Sequence, residues 1–379
     1  MMSSAAAMPR RATPVAVSGW LRVALVLPAV MALLCGMLSG LLRLGLPLPE
    51  ALALFIGRLI AVHGALMVGG FFGTLIGLER AVAIGARWAY LAPLLSGLAV
   101  IAMIADAPPA FAPTLMSGAA LVMLVACSSV WLRQRVAHHM ALAVAALAWL
   151  AGNAMWAVQG SVIPAVPLWT SFLVLTIAAE RLELSRFVPT PRAARIVFGV
   201  IVAVLLIGAA GSPLASGSLR TFSAALLALA VWLLRYDIAR RTVKTAGLTR
   251  YMAVCLLSGY AWLAVGGGLG AGNALLAGHP LRDAALHALL LGFVFSMVFG
   301  HAAVIIPAIT RLRFHWHGGF YVPLVALHLS LSARLLAGVE GWFALRQWAA
   351  VGNAVTLLLF IAMVIASLVK ASRSAGAKA

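Results

Sequence analysis

The chain has 379 residues, of which 64% are hydrophobic and only 9% are charged. Roughly a quarter of a soluble globular domain is charged, so that class is excluded. The formal net charge of +19 does not point to nucleic acid, because the basic residues sort by loop as membrane topology sorts them.

In chain order, residues 1–20 read as a short cytoplasmic N-terminal tail. Arg10 and Arg11 lack a twin-arginine context, and no small-residue cleavage site follows the first apolar run. Twelve apolar runs then follow, at 21–42, 58–84, 88–106, 110–132, 138–158, 162–184, 193–210, 216–236, 250–273, 282–309, 319–338 and 345–369. About 20 residues cross the roughly 30 Å hydrocarbon core as a helix, and helices alone satisfy the backbone there when runs are this long. The expected fold class is all-α, one polytopic bundle spanning 1–379, with residues 370–379 as a cytoplasmic C-terminal tail. If both termini are cytoplasmic and every span crosses, 21 of the 27 Lys and Arg residues fall toward the inner side, and only Arg43, Arg58, Arg220, Arg282, Arg334 and Arg346 toward the outer. That bias agrees with the positive-inside rule and with an even span count.

The first span carries Gly36 and Gly40, and the second Gly69, Gly73 and Gly77, at the small-xxx-small spacing that lets helices approach closely. Spans two, six and ten run in one direction and end in arginine-bearing segments (LERAVAI, AERLELS, ITRLRF), which suggests three groups of four helices. The run GGGLGAG at 266–272 follows an apolar helix and no strand, so it reads as helix packing and not as a nucleotide loop. Cys35, Cys127 and Cys255 lie within spans without CxxC spacing and read as buried thiols. His315 and His317 flank Trp316 and read as an interfacial basic cluster.

Spans two and ten share a phrase: an arginine, a largely apolar four-residue spacer, a histidine, then a glycine- and phenylalanine-rich run. The copies are Arg58 to His63 and Arg282 to His287. Each histidine lies about 7 Å along the axis from its arginine. An intramembrane histidine is a functional-site hypothesis by default. Two histidines are too few for structural zinc but match the two axial positions of a six-coordinate haem, with Arg58 and Arg282 as propionate partners. Phe71, Phe72, Phe293 and Phe295 are then expected as apolar walls, with Gly70 and Gly292 giving ring clearance. The competing reading is a pair of packing histidines under snorkelling arginines. His301, about 21 Å beyond His287, and His328 in span eleven form a deeper pair for a second haem, a metal such as copper, or one another. Glu79–Arg80 and Glu180–Arg181 read as structural ion pairs or a proton relay; adjacent helical residues point about 100° apart, so each glutamate is expected to pair with an arginine from elsewhere.

The strings HGALMVGGFFGTLIGLERAV and HALLLGFVFSMVFGHAAVIIPA, with twelve spans, resemble the NnrS-like bacterial membrane proteins, a family described as putative haem–copper proteins linked to nitric oxide and denitrification. More distantly, histidines on spans two and ten within three groups of four resemble the catalytic subunit of haem–copper oxidases. The resemblance implies haem b between His63 and His287, a place in the bacterial inner membrane, and respiratory or denitrification partners. Spans six and seven hold no histidine, so an intact binuclear reductase centre is not expected. The alternatives are a proton-coupled small-molecule transporter and a cofactor-free assembly partner of a respiratory complex.

Overall fold

The computed structural model describes residues 18–184, 190–215 and 217–376; Arg10, Arg11 and most of the N-terminal tail lie outside them. Among the described residues, twelve helices are long and apolar enough to cross a membrane: α1 (Gly19–Arg43), α2 (Ile60–Ile84), α3 (Arg87–Ile104), α4 (Phe111–Arg133), α5 (Ala137–Gln159), α6 (Ile163–Leu184), α7 (Arg192–Gly211), α8 (Gly217–Tyr236), α9 (Gly247–Ala271), α10 (Arg282–Thr310), α11 (Gly318–Glu340) and α12 (Phe343–Ala371). The expected runs agree with these bounds to within a few residues. This is a multi-pass α-helical membrane protein.

The helices end for recognisable reasons. α2, α5 and α11 stop at Gly85, Gly160 and Gly341, each in the left-handed conformation that closes a helix with a backbone bond to the preceding turn. Pro191 precedes α7 where a missing N–H costs nothing. Apolar side chains such as Leu27, Val231 and Leu329 point outward, as a lipid-facing surface requires.

The bundle is organised around α2, α6 and α10. α6 and α10 are the most enclosed helices, with 72% and 67% of their apolar windows buried, against 33% for α1, α4, α7 and α11. All three touch one another: α2 meets α10 through its Thr74–Ile84 half, and α6 meets the middle of both. The three-by-four rhythm of the sequence therefore has a spatial counterpart, since helices four apart occupy the centre. Small residues make this possible. A Cβ on Gly36 would press on Met67, and one on Gly73 would meet Trp149 at 2.5 Å. Gly266 and Gly267 seat α9 against Leu289 of α10 and the backbone of α8, so the glycine run at 266–272 is a packing surface.

Candidate functional site

Both copies of the Arg-x4-His phrase lead into the same local backbone. In α2 a tight turn at Ile60–Val62 precedes His63, and a π-helical segment follows at Leu66–Gly73. In α10 a regular turn, Arg282–His287, leads into a π-helical segment at Ala288–Phe295. π-helix accounts for well under 1% of residues in folded proteins and concentrates at functional sites. Among the described residues it occurs twice, in each case just after the histidine. Phe71 and Phe295, each eight residues beyond its histidine, stack at 5.8 Å and 8°, and Phe72 stands edge-on to Phe295 at 5.2 Å. This stack pins the two helices at equal register and holds His63 and His287 at one depth, within electrostatic range of each other.

The two imidazoles are anchored alike. His63 Nδ1 lies 2.8 Å from the Gly36 carbonyl and 3.4 Å from Ser39 Oγ. Gly40 leaves room for the ring, since a Cβ there would sit 3.1 Å from its Cε1. His287 Nδ1 lies 2.8 Å from the Asp283 carbonyl and 3.3 Å from its carboxylate. A carbonyl only accepts, so Nδ1 carries the hydrogen in both rings and the Nε2 lone pair is left free. No residue among those described bonds either Nε2. The His287 side chain keeps 25% of its surface accessible.

The flanking arginines do not stand where the sequence suggested. Arg58 pairs with Asp106 at 3.0 Å in an exposed bridge and lies over the Phe55 ring. Arg282 donates from Nε to the Leu275 carbonyl at 3.3 Å. Five residues of helix place it about 140° around the axis from His287, facing away from the ring. Its neighbour Asp283, one turn before His287, lies on the histidine's own face. That carboxylate takes two bonds from Arg334 (2.9 and 3.0 Å) and one contact from Arg346 (3.4 Å). Arg43, the last residue of α1, is also within electrostatic range of His63. Two arginines, from α11 and α12, thus meet at one carboxylate beside His287, and Arg43 of α1 lies toward His63, an excess of positive charge.

The apolar walls are also arranged differently. Phe71, Phe72 and Phe295 pack on one another, and Phe293 is fully buried beside Tyr260. Gly70 and Gly292 give no clearance for a ring: a Cβ at 70 would meet Ala32 and Val100 at 2.8 Å, and one at 292 would meet Trp262 at 2.5 Å. These glycines let α2 and α10 take close neighbours.

His301 and His328 are not brought together as a pair. His301 Nε2 lies 2.9 Å from Arg181 Nη2 and its Nδ1 2.6 Å from the Met297 carbonyl. His328 Nδ1 accepts from Trp262 Nε1 at 3.0 Å. No group of three or more His, Cys, Asp or Glu side chains able to hold a metal ion is found among the described residues.

The halves of the three central helices remote from His63 and His287 are joined by charge. Arg80 of α2 pairs with its neighbour Glu79 and, at 3.2 Å, with Glu180 of α6. Glu180 therefore finds its arginine on another helix, as expected, whereas Glu79 keeps the adjacent one. Arg181 reaches α10 through His301. Nearby, buried Asp237 accepts from Tyr260 Oη at 3.0 Å and from the Ala239 amide. The Nε atoms of Arg80 and Arg181 are buried without a partner.

A family model described as a domain of unknown function (DUF8744) matches residues 22–369, from the start of α1 into α12. The chain belongs to the DUF8744 family. No curated protein and no solved structure matches it. The match covers all twelve spans of this DUF8744 chain, both phrases and the charged network between them.

Sequence reasoning passed over Asp283, Arg334 and Arg346. The i, i+4 spacing of Asp283 to His287 is a legible signal, because such pairs share a helix face. Arg334 and Arg346 carry none, since only the packing of α11 and α12 on α10 brings them to Asp283.

Proposed function

We propose that this DUF8744 protein binds a haem between His63 and His287 in the bacterial inner membrane and serves a redox or nitric-oxide response, as its resemblance to NnrS-like proteins implies. The carrying observation is the matched anchoring of the two rings: Nδ1 on a carbonyl, Nε2 uncommitted, both at one depth. Ligating histidines are ordinarily fixed in this way through their second nitrogen, with a carboxylate or carbonyl setting tautomer and orientation. The Gly36 carbonyl with Ser39 does this for His63, and Asp283 does it for His287. A haem held by two histidines supplies reversible one-electron transfer. Its propionates suit the cations beside the histidines, namely Arg334 and Arg346 at Asp283 and Arg43 toward His63, better than Arg58 or Arg282. A second haem or copper at His301 and His328 is not part of this reading, because Arg181 occupies His301 Nε2, and Trp262 donates to His328 Nδ1 and so leaves the ring hydrogen on Nε2.

An absorption spectrum of the detergent-purified protein from haem-replete cells tests the reading. A Soret band lost in both His63→Ala and His287→Ala supports it. A colourless wild-type preparation that stays colourless after haem is added rejects it.

A second reading rests on a different observation, the ionisable network of Glu79, Arg80, Glu180, Arg181 and His301 inside the bundle. Such groups mark proton and substrate pathways in membrane proteins, which suits a proton-coupled transporter. Proton uptake by proteoliposomes that Glu79→Gln and Glu180→Gln abolish, from a protein without a Soret band, favours this reading over the first.

A further inference from the structure

The face of α10 that carries Arg282 borders a cavity that none of the described histidines lines. This cavity, of about 230 Å³, opens between the start of α6, the α7–α8 and α9–α10 connections, and the first turns of α10. Its walls include Pro167, Thr170, Leu219, Phe222 and Leu286, with Arg282 the one charged group among the described lining residues. An engineered apolar cavity of about 150 Å³ already holds benzene, so this space takes a substantial apolar group.

Arg282 is half-buried, and only its Nε is committed, to the Leu275 carbonyl on the cavity wall. It pairs with no carboxylate among the described residues, because adjacent Asp283 faces Arg334, Arg346 and His287. An enclosed cation without a counter-ion is costly unless an anion meets it. A guanidinium matches the oxygens of a carboxylate or phosphate through two parallel bonds. An apolar cavity beside one unpaired guanidinium therefore selects a molecule with an anionic head and a hydrocarbon body.

We propose that this cavity is a binding site for one chain of an anionic amphiphile, its head on Arg282 and its chain along Pro167, Phe222 and Leu286. An anionic head on a hydrocarbon chain is offered by the carboxylate of a free fatty acid and by the phosphate of an anionic phospholipid, so the experiment takes each separately. Native mass spectrometry of the detergent-solubilised full chain is titrated with decanoate, with decanol as the uncharged control, and with phosphatidylglycerol. The expected result is a one-to-one decanoate adduct that decanol does not form. The adduct weakens by roughly tenfold or more in Arg282→Gln, as loss of a charge-assisted pair predicts, and recovers in part in Arg282→Lys. Ala277→Trp, at the exposed rim of the cavity, keeps the charge and narrows the opening, so it also lowers binding. An adduct with phosphatidylglycerol alone, equally sensitive to both substitutions, assigns the site to a bilayer lipid. Equal binding of decanoate and decanol, or binding unchanged in both Arg282→Gln and Ala277→Trp with melting temperatures like wild type, overturns the proposal. So does the absence of any adduct. None of these outcomes depends on a Soret band, so the site is tested independently of the haem reading.

Discussion

Asparagine at position 283 keeps the size of the side chain and removes its charge. In the native protein the Asp283 carboxylate takes two bonds from Arg334, contacts Arg346 and lies 3.3 Å from His287. Arg334 is 7% exposed and cannot shed its proton, so in Asp283→Asn it keeps a buried charge with at most one neutral acceptor. Removing one partner of a buried pair costs about 3–5 kcal/mol. The Asp283 side chain is 23% exposed, and asparagine preserves one bond, so the expected loss is near the lower end, about 3 kcal/mol. Denaturant-driven unfolding in detergent micelles measures it. Arg334→Met removes the stranded charge, so the double variant is expected to recover part of the loss. Stabilities of Asp283→Asn and Arg334→Met that add within about 0.5 kcal/mol refute the pairing, because independent sites add to that tolerance. The His287 anchor uses the backbone carbonyl, which asparagine keeps, so under the haem reading the Soret band survives with affinity lowered about 10- to 100-fold.

Gly292→Ala places a Cβ 2.5 Å from the Trp262 ring; it is expected to cost about 1–3 kcal/mol by overpacking, read as a lowered melting temperature. Tyr260→Phe leaves the buried Asp237 carboxylate without one donor and is expected to cost about 1.5–3 kcal/mol in the same assay. Arg80→Met strands Glu79 and Glu180 together and is expected to destabilise the protein more than Glu180→Gln, which leaves Arg80 with Glu79; the reverse order in denaturant midpoints refutes the bridge. Gly40→Val crowds the His63 ring through a contact already tight for a single Cβ, and under the haem reading it shifts or abolishes the Soret band while Gly45→Ala, at a turn away from the ring, does not.

The membrane bundle was legible because hydrocarbon leaves the backbone one solution at this length. A run of about 20 apolar residues must become a helix whatever it later packs against. The same logic made His63 and His287 conspicuous, since polar groups are rare in such runs. The expected pairing of His301 with His328 had no such support. Residue spacing along single helices fixes neither azimuth nor partner, and His301 faces Arg181 while His328 faces Trp262. The arginines show the same limit. Arg58 and Arg282 were placed over the histidines by axial distance, but rotation about the helix turned Arg282 onto a cavity, and Asp106 in a connecting loop captured Arg58.

Sequence alone determined the twelve crossings, the repeat of one phrase on two of them, and the glycine spacing that brings helices close. These are properties of single helices, dictated locally by hydrocarbon thickness and backbone hydrogen bonding. Tertiary structure alone decided that α2, α6 and α10 form the centre, that π-helical turns follow both histidines, and that Asp283 gathers arginines from α11 and α12 to the histidine end. Those depend on rotation and on contacts between residues far apart in the chain, for which an apolar sequence carries almost no local signal, because one apolar face packs against lipid or protein equally well.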